Sequence, residues 1–353
     1  MKLRAVLRPP GADPITRDVV AGRWVEPAGS ADETIGEGMW AIPGLVDAHA
    51  HLAADRLFAP GVFADAVARL QEALTAGVML ILDKGWNDFT TVEAIDAVAP
   101  EDRPDIEAAA RVIAAPDGYM QGFGLRVEPH DLGAAVQAEA KAGRGWVKLI
   151  GDWPRKGRGP VANFDESQLR TAVQAAETAG ARVAIHTMAR EVPSLAVAAG
   201  VHSIEHGLFL TEEDLGPLGA RGGMWVPTVL RCEATVEQIG AGSSGGRLLS
   251  EGLDGLRPLF QEALDAGVHV LAGTDLIGAP ADVAAEAIRL ADYGLSPTQV
   301  LGAVSTSGFA ATGRDSGFSI GSPADAVFFP ESPLEQLGVL AHPAAVMRRG
   351  RLS

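Results

Sequence analysis

From Gly44 onward the chain repeats one pattern eight times: a short apolar run of strand length, then an alanine-rich segment of helical period. The spacing predicts strands over residues 45–48, 78–82, 106–113, 146–150, 182–185, 201–205, 224–229 and 268–272. It predicts the following helices over 63–75, 91–98, 132–142, 166–179, 192–199, 212–218, 253–266 and 281–293. Alternating units of this kind build a parallel sheet covered by helices, and eight of them in about 250 residues predict a (β/α)8 TIM barrel over residues 44–312. In such a barrel the chemistry belongs where the strands end and the βα loops begin.

The flanking segments, 1–43 and 313–353, are short, turn-rich and poor in apolar residues, so neither builds a core alone. The simplest arrangement pairs both ends of the chain into one small composite β domain beside the barrel. A helical stretch is expected over 297–311, and the Gly-rich segment 240–246 is expected to be flexible, a lid or slack within the seventh βα loop.

Charge narrows the partners. Twenty-nine basic against 45 acidic side chains leave a formal charge of −16, which offers no cationic field for nucleic acid or an anionic membrane. No apolar run approaches the roughly 18 residues of a membrane span, and Pro9 and Pro10 interrupt the start before a signal-type apolar stretch, so the expectation is a cytoplasmic protein. The single cysteine, Cys232, cannot build a thiolate cluster; a metal would need His and carboxylate ligands.

Those ligands stand at the strand ends. His49 and His51 close the first strand; residues two apart share a face, so both imidazoles point into the barrel mouth. His186 ends the fifth strand, His206 the sixth, and Asp275 follows the eighth. Four imidazoles and a carboxylate at one end of a barrel suit zinc and related divalent ions. His130, His202, His269 and His342 lie elsewhere and are read as structural or solvated. Lys148 sits inside the apolar fourth strand, where burial beside cations disfavours an ammonium. It can be a neutral amine that adds carbon dioxide to become a bridging carbamate, or a lysine paired with a carboxylate or reaching the rim.

The stretch Pro43-Gly44-Leu45-Val46-Asp47-Ala48-His49-Ala50-His51-Leu52, with Lys148, His186, His206 and Asp275, resembles the metal-dependent amidohydrolase superfamily. Within it, Ser203-Ile204-Glu205-His206-Gly207 and the region from Leu295 to Gly321 are similar to the imidazolonepropionase-like and Xaa-Pro dipeptidase-like branch. The resemblance implies a binuclear centre with two Zn2+ per chain. His49, His51 and Asp275 would hold one metal, His186 and His206 the other, and carboxylated Lys148 would bridge them. It implies a hydrolase in which a metal-bridging hydroxide attacks the C–N bond of an N-acyl amino acid, dipeptide or cyclic amide, with Asp275 moving the proton. It leaves room for a homo-oligomer.

The chain departs from that branch after the third strand, where Ala114-Ala115-Pro116-Asp117-Gly118-Tyr119 replaces a Gly-Gly-His type sequence, which removes the usual ground for dipeptide specificity. Candidate substrate contacts are Arg231, whose fork can take a carboxylate, and the aromatic residues Trp86, Tyr119 and Trp153. The competing activities are a mononuclear deaminase of a nitrogen heterocycle, weakened because Ala189 stands where a glutamate would follow His186, and a lactone or ester hydrolase. Outside enzymology, the alternative is a metal-free scaffold barrel.

Overall fold

The computed structural model describes residues 2–54, 63–276, 282–315 and 317–352. Eight parallel strands form the barrel: Leu45–Ala50, Val78–Asp83, Asp105–Ala108, Trp146–Ile150, Arg182–Thr187, Ser203–His206, Met224–Val226 and His269–Val270, barrel strands one to eight. The first two are buried at every position, because one face meets the barrel interior and the other the helices; hence their continuous apolar runs. Neighbouring strands pair in parallel, and an Ala108–Gly145 bridge joins strands three and four. The Ala48 N–H donates to Ala272 O (2.9 Å) and the Asp275 N–H to His49 O (2.8 Å), so the last segment returns to the first. Gly273 permits that return, since a Cβ there would lie 2.6 Å from His49 Cβ.

The covering helices follow from local sequence. Over Glu166–Thr178, Asp165 and Gln168 form a reciprocal capping box, and Leu169, Ala172, Val173 and Ala176 are buried at spacings of three and four. Burying Leu169 and Val173 contributes roughly 2 kcal/mol each. The expected start of the eighth helix at Ala281 lies outside the described residues; the helix there is Val283–Asp292.

The chain ends do meet. Leu3–Leu7 alternates buried and half-buried positions and pairs with Ile15–Val20 and Glu33–Ile35, while Trp40–Ile42 pairs antiparallel with Ala326–Phe329 and that strand with Ala345–Arg348. Trp24, Phe318, Phe328 and Met347 fill the space between. Arg348 ties this unit to the barrel: its guanidinium reaches Asp325 (2.5 Å) and Asp105 (2.6 Å), and it donates to the carbonyls of Arg103 and Pro100. Because Arg348 is 3% exposed, Arg348→Met leaves the Asp325 carboxylate without its cation and Asp105 with only the Arg349 guanidinium, 3.4 Å away. The expected loss is about 3–5 kcal/mol of unfolding free energy, read from urea denaturation; a loss below about 1 kcal/mol would show the pair to be dispensable.

Three departures from expectation have a visible physical cause. Strand three stops at Ala108, not 113, because the backbone N–H of Arg111 is taken by the Glu139 carboxylate (2.9 Å) instead of a neighbouring strand. Ile113–Ala114 then forms a separate short piece beside strand four. Strand seven stops at Val226 rather than 229: Pro227 has no N–H to donate, Thr228 is left-handed (φ 46°), and a helix starts at Val229. Glu286, on the neighbouring helix Val283–Asp292, caps that helix, accepting from Val229 N (2.6 Å) and Leu230 N (3.0 Å). Segment 240–246 is not a long loop either: it joins Val229–Ile239 to Ser244–Asp265, with Ser243 Oγ accepting from Gly246 N. Leu249, Leu253, Leu256 and Phe260 give that second helix a buried face, which outweighs its glycines.

Candidate metal centre

At the C-terminal end of the barrel, His49, His51 and Asp275 offer one ligand atom each within 4.8 Å of one another. Asp275 Oδ1 lies 3.5 Å from His49 Nε2 and 3.4 Å from His51 Nε2, and its Oδ2 lies 3.9 Å from His206 Nε2. The backbone is bent to achieve this. His206 (φ 65°) and Asp275 (φ 40°) are both left-handed non-glycine residues, a strained conformation that tertiary contacts must hold.

Polar contacts at the far side of each ring decide which nitrogen is free. His51 Nδ1 meets the carbonyl of Gly85 (2.6 Å), which can only accept. His49 Nδ1 lies 2.6 Å from the Glu205 carboxylate. Thr228 spends its hydroxyl proton on Pro227 O (2.8 Å), so it accepts from His206 Nδ1 (2.6 Å). All three imidazoles therefore carry the proton on Nδ1 and present the Nε2 lone pair towards Asp275, the orientation a metal ligand requires. Burial pushes His49 down to about 4 and His206 to about 3, which keeps these two rings neutral.

His186, which burial pushes well below its ordinary pKa, stacks edge-on against His206 with ring centroids 4.7 Å apart. Lys148 lines the same cavity, 3% exposed, and its Nζ has no hydrogen-bond partner among the described residues. Burial lowers its pKa to about 8, with Lys84 lowering it further and Glu205 opposing. A buried amine left unpaired costs about 1–3 kcal/mol or more.

Two neighbours carry more than their sequence context indicated. Glu205 is fully buried and joins His49, Ser203 Oγ (2.6 Å) and Lys84 Nζ (3.2 Å). Lys84 in turn lies 4.5 Å from the centre of the Trp146 ring. In a regular strand Glu205 and His206 would point to opposite faces; the left-handed turn at His206 lets both consecutive side chains approach His49. The visible signal was the carboxylate beside a strand-end histidine.

All four candidate substrate contacts line this cavity with the six candidate ligands. Trp86, Phe123, Tyr119 and Trp153 make an unbroken aromatic wall from His51 to His186, with successive ring centroids between 4.6 and 6.2 Å apart. Burial, reinforced by Asp275, raises the Tyr119 pKa and keeps it a phenol. Arg231 reaches the cavity from the first turn of Val229–Ile239. His130, His202, His269 and His342 do not line it.

Residues 40–352 match the amidohydrolase family. The chain belongs to the amidohydrolase family. An uncharacterized protein of Mycobacterium tuberculosis is 32% identical over 346 residues, 94% of this chain and 90% of that protein. Ochratoxinase from Aspergillus niger is 26% identical over 228 residues, 60% of this chain and 46% of that enzyme. In fold, the chain is similar over its full length to the whole crystal structure of a Xaa-Pro dipeptidase with bound methionine in the active site (TM-score 0.83, 19% identity). This amidohydrolase is therefore a hydrolase acting on carbon–nitrogen bonds. Its donor set fits the divalent metal that the family generally uses: imidazoles that present Nε2, a carboxylate and a buried unpaired amine. Among the described residues no helix is long and apolar enough to cross a membrane.

Proposed function

We propose that this amidohydrolase cleaves the amide bond of a small substrate, an N-acyl amino acid, dipeptide or cyclic amide, at a binuclear zinc centre. His49, His51 and Asp275 would hold one ion, His186 and His206 the other, with Lys148 as a carbamate between them. The observation that carries this reading is the unpaired Lys148 amine, buried in the same cavity as the inward-facing Nε2 atoms of His49, His51 and His206. A neutral amine adds to the carbon of carbon dioxide and releases a proton, which replaces a costly buried amine with an anion that two cations would stabilise. When bound, the ions supply Lewis acidity, polarising the carbonyl and lowering the pKa of water.

The remaining work falls to the side chains. Glu205, kept ionised chiefly by Lys84 and then His49 against the cost of burial, fixes the His49 ring. Asp275 accepts the proton of the attacking water and passes it to the leaving nitrogen. The aromatic wall excludes bulk water, and the Arg231 guanidinium takes a substrate carboxylate in bidentate fashion. The deaminase alternative lacks its acid, since Ala189 is buried and its N–H donates to Asp152.

The test is release of free amine from N-acyl amino acids, dipeptides and cyclic amides by protein purified with zinc and bicarbonate. Hydrolysis is expected, lost on chelation and restored by zinc. Turnover indifferent to chelation, or two bound ions with no amide cleaved across the panel, would overturn the proposal.

A further inference from the structure

A second, larger chamber adjoins the metal cavity. Trp153, His186, Met188 and Thr235 line both, so the two lie side by side, but the volumes differ: about 130 Å3 around the metal centre and about 980 Å3 outside it. The outer space lies at the upper end of the range, about 300–1,000 Å3, of pockets that take whole small molecules. One wall is the hairpin Asp152–Arg155 and Gly159–Ala162; the opposite wall comes from the two helices joined by segment 240–246, through Ile239, Leu248 and Leu249. Ile239 is 44% exposed, an isoleucine left in water although the chamber beside it offers apolar neighbours in Leu248 and Met188. Of the charged groups in its lining, Arg190 is paired with Glu251, Arg155 donates to Asn163, and Arg158 and Glu191 are exposed, while buried Asp152 accepts from the Met188 and Ala189 N–H groups through Oδ2 and leaves Oδ1 without a hydrogen-bond partner among the described residues.

We propose that this chamber is the acyl subsite, and that the substrates are N-acyl amino acids whose acyl group is long and apolar, a chain of about eight carbons or more. The inference rests on the amide-hydrolase reading, with the amino-acid carboxylate on Arg231. The bond to be cut then lies in the small cavity, which has no room for a long chain, and the chain passes Trp153 and Met188 into the larger one. Each methylene that leaves water tightens binding ~4-fold.

Binding is measured on the full-length, zinc-loaded protein with sulfonamides, which have no amide carbonyl to cleave: N-(decylsulfonyl)glycine against N-(methylsulfonyl)glycine, by titration calorimetry. The decyl compound is expected to bind at least ~100-fold more tightly and with a negative heat-capacity change. Ile239→Asp and Leu248→Asp are expected to remove at least ~10-fold of that gain, whereas Ile288→Asp, an equally exposed isoleucine outside the chamber, keeps it. In parallel, the rate of hydrolysis of N-acylglycines at low concentration is followed from acetyl to decanoyl. Tighter decyl binding without hydrolysis of any N-acylglycine supports the chamber and removes the hydrolase reading. Hydrolysis with equal affinity for both sulfonamides keeps the hydrolase reading and overturns the chamber, as does a rate that does not rise from acetyl to decanoyl.

Discussion

Lys148→Met is expected to abolish hydrolysis while leaving the protein as stable as the wild type or more so. Met fills nearly the same space in the fourth barrel strand, and the substitution removes an amine that is 3% exposed and has no hydrogen-bond partner. Deleting an unsatisfied buried polar group is neutral or stabilising by about 1–3 kcal/mol. If the amine is the site of the bridging carbamate, zinc content falls from near two per chain and the rate drops by about 10^3-fold or more, about 4 kcal/mol of transition-state stabilisation. Elemental analysis, a thermal melt and the amide assay on both proteins give the three numbers. Unchanged zinc content in the variant would remove the bridge and leave Lys148 as a structural residue. A collapse of the melting temperature would instead mean that the lysine supports the fold.

Asp275→Asn is expected to have an effect of similar size by a different route. The amide keeps the shape of the side chain and leaves the backbone N–H of residue 275 free to bond the His49 carbonyl (2.8 Å), so the barrel should stay closed. What changes is charge. Asp275 faces the Nε2 atoms of His49, His51 and His206 between 3.4 and 3.9 Å away; an amide there neither neutralises a cation well nor accepts a proton. The loss expected in kcat is about 10^3–10^4-fold, with one zinc weakened and the melt unchanged to within roughly 1 kcal/mol. Retention of a tenth of the wild-type rate would rule out Asp275 as the proton carrier. The two variants separate the proposed roles, since Lys148→Met acts through the metal count and Asp275→Asn chiefly through turnover.

The end of strand three and the start of the helix at Val229 share a cause. Where a strand or helix end is decided by neighbouring residues, as with the strand apolar runs or the Asp165–Gln168 capping box, local pattern and structure agree. Where a distant side chain supplies the missing partner, they part. Glu139 ends strand three by taking the Arg111 N–H, and Glu286 starts the helix that carries Arg231, 57 residues distant from Val229 in the chain. A backbone group bonded to a remote carboxylate leaves no periodic trace in the sequence around it. The Gly-rich segment 240–246 misleads for a related reason: its glycines suggest slack, but Leu249, Leu253, Leu256 and Phe260 bury a face that pays for the helix.

Local sequence alone determined the eightfold alternation of strand and helix, and with it the end of the barrel at which His49, His51, Lys148, His186, His206 and Asp275 would meet. That is because a two-residue strand period and the parallel direction of the strands dictate where a side chain at a strand end must point. Only the tertiary structure decided which ring nitrogen each histidine frees, that Glu205 and Lys84 stand behind His49, and that a second apolar chamber opens beyond Trp153 and Met188. These depend on side chains brought together from separate strands and helices, and on the left-handed backbone at His206 and Asp275. Such conformations are held by packing and hydrogen bonds across the closed barrel, not by the residues next to them in the chain.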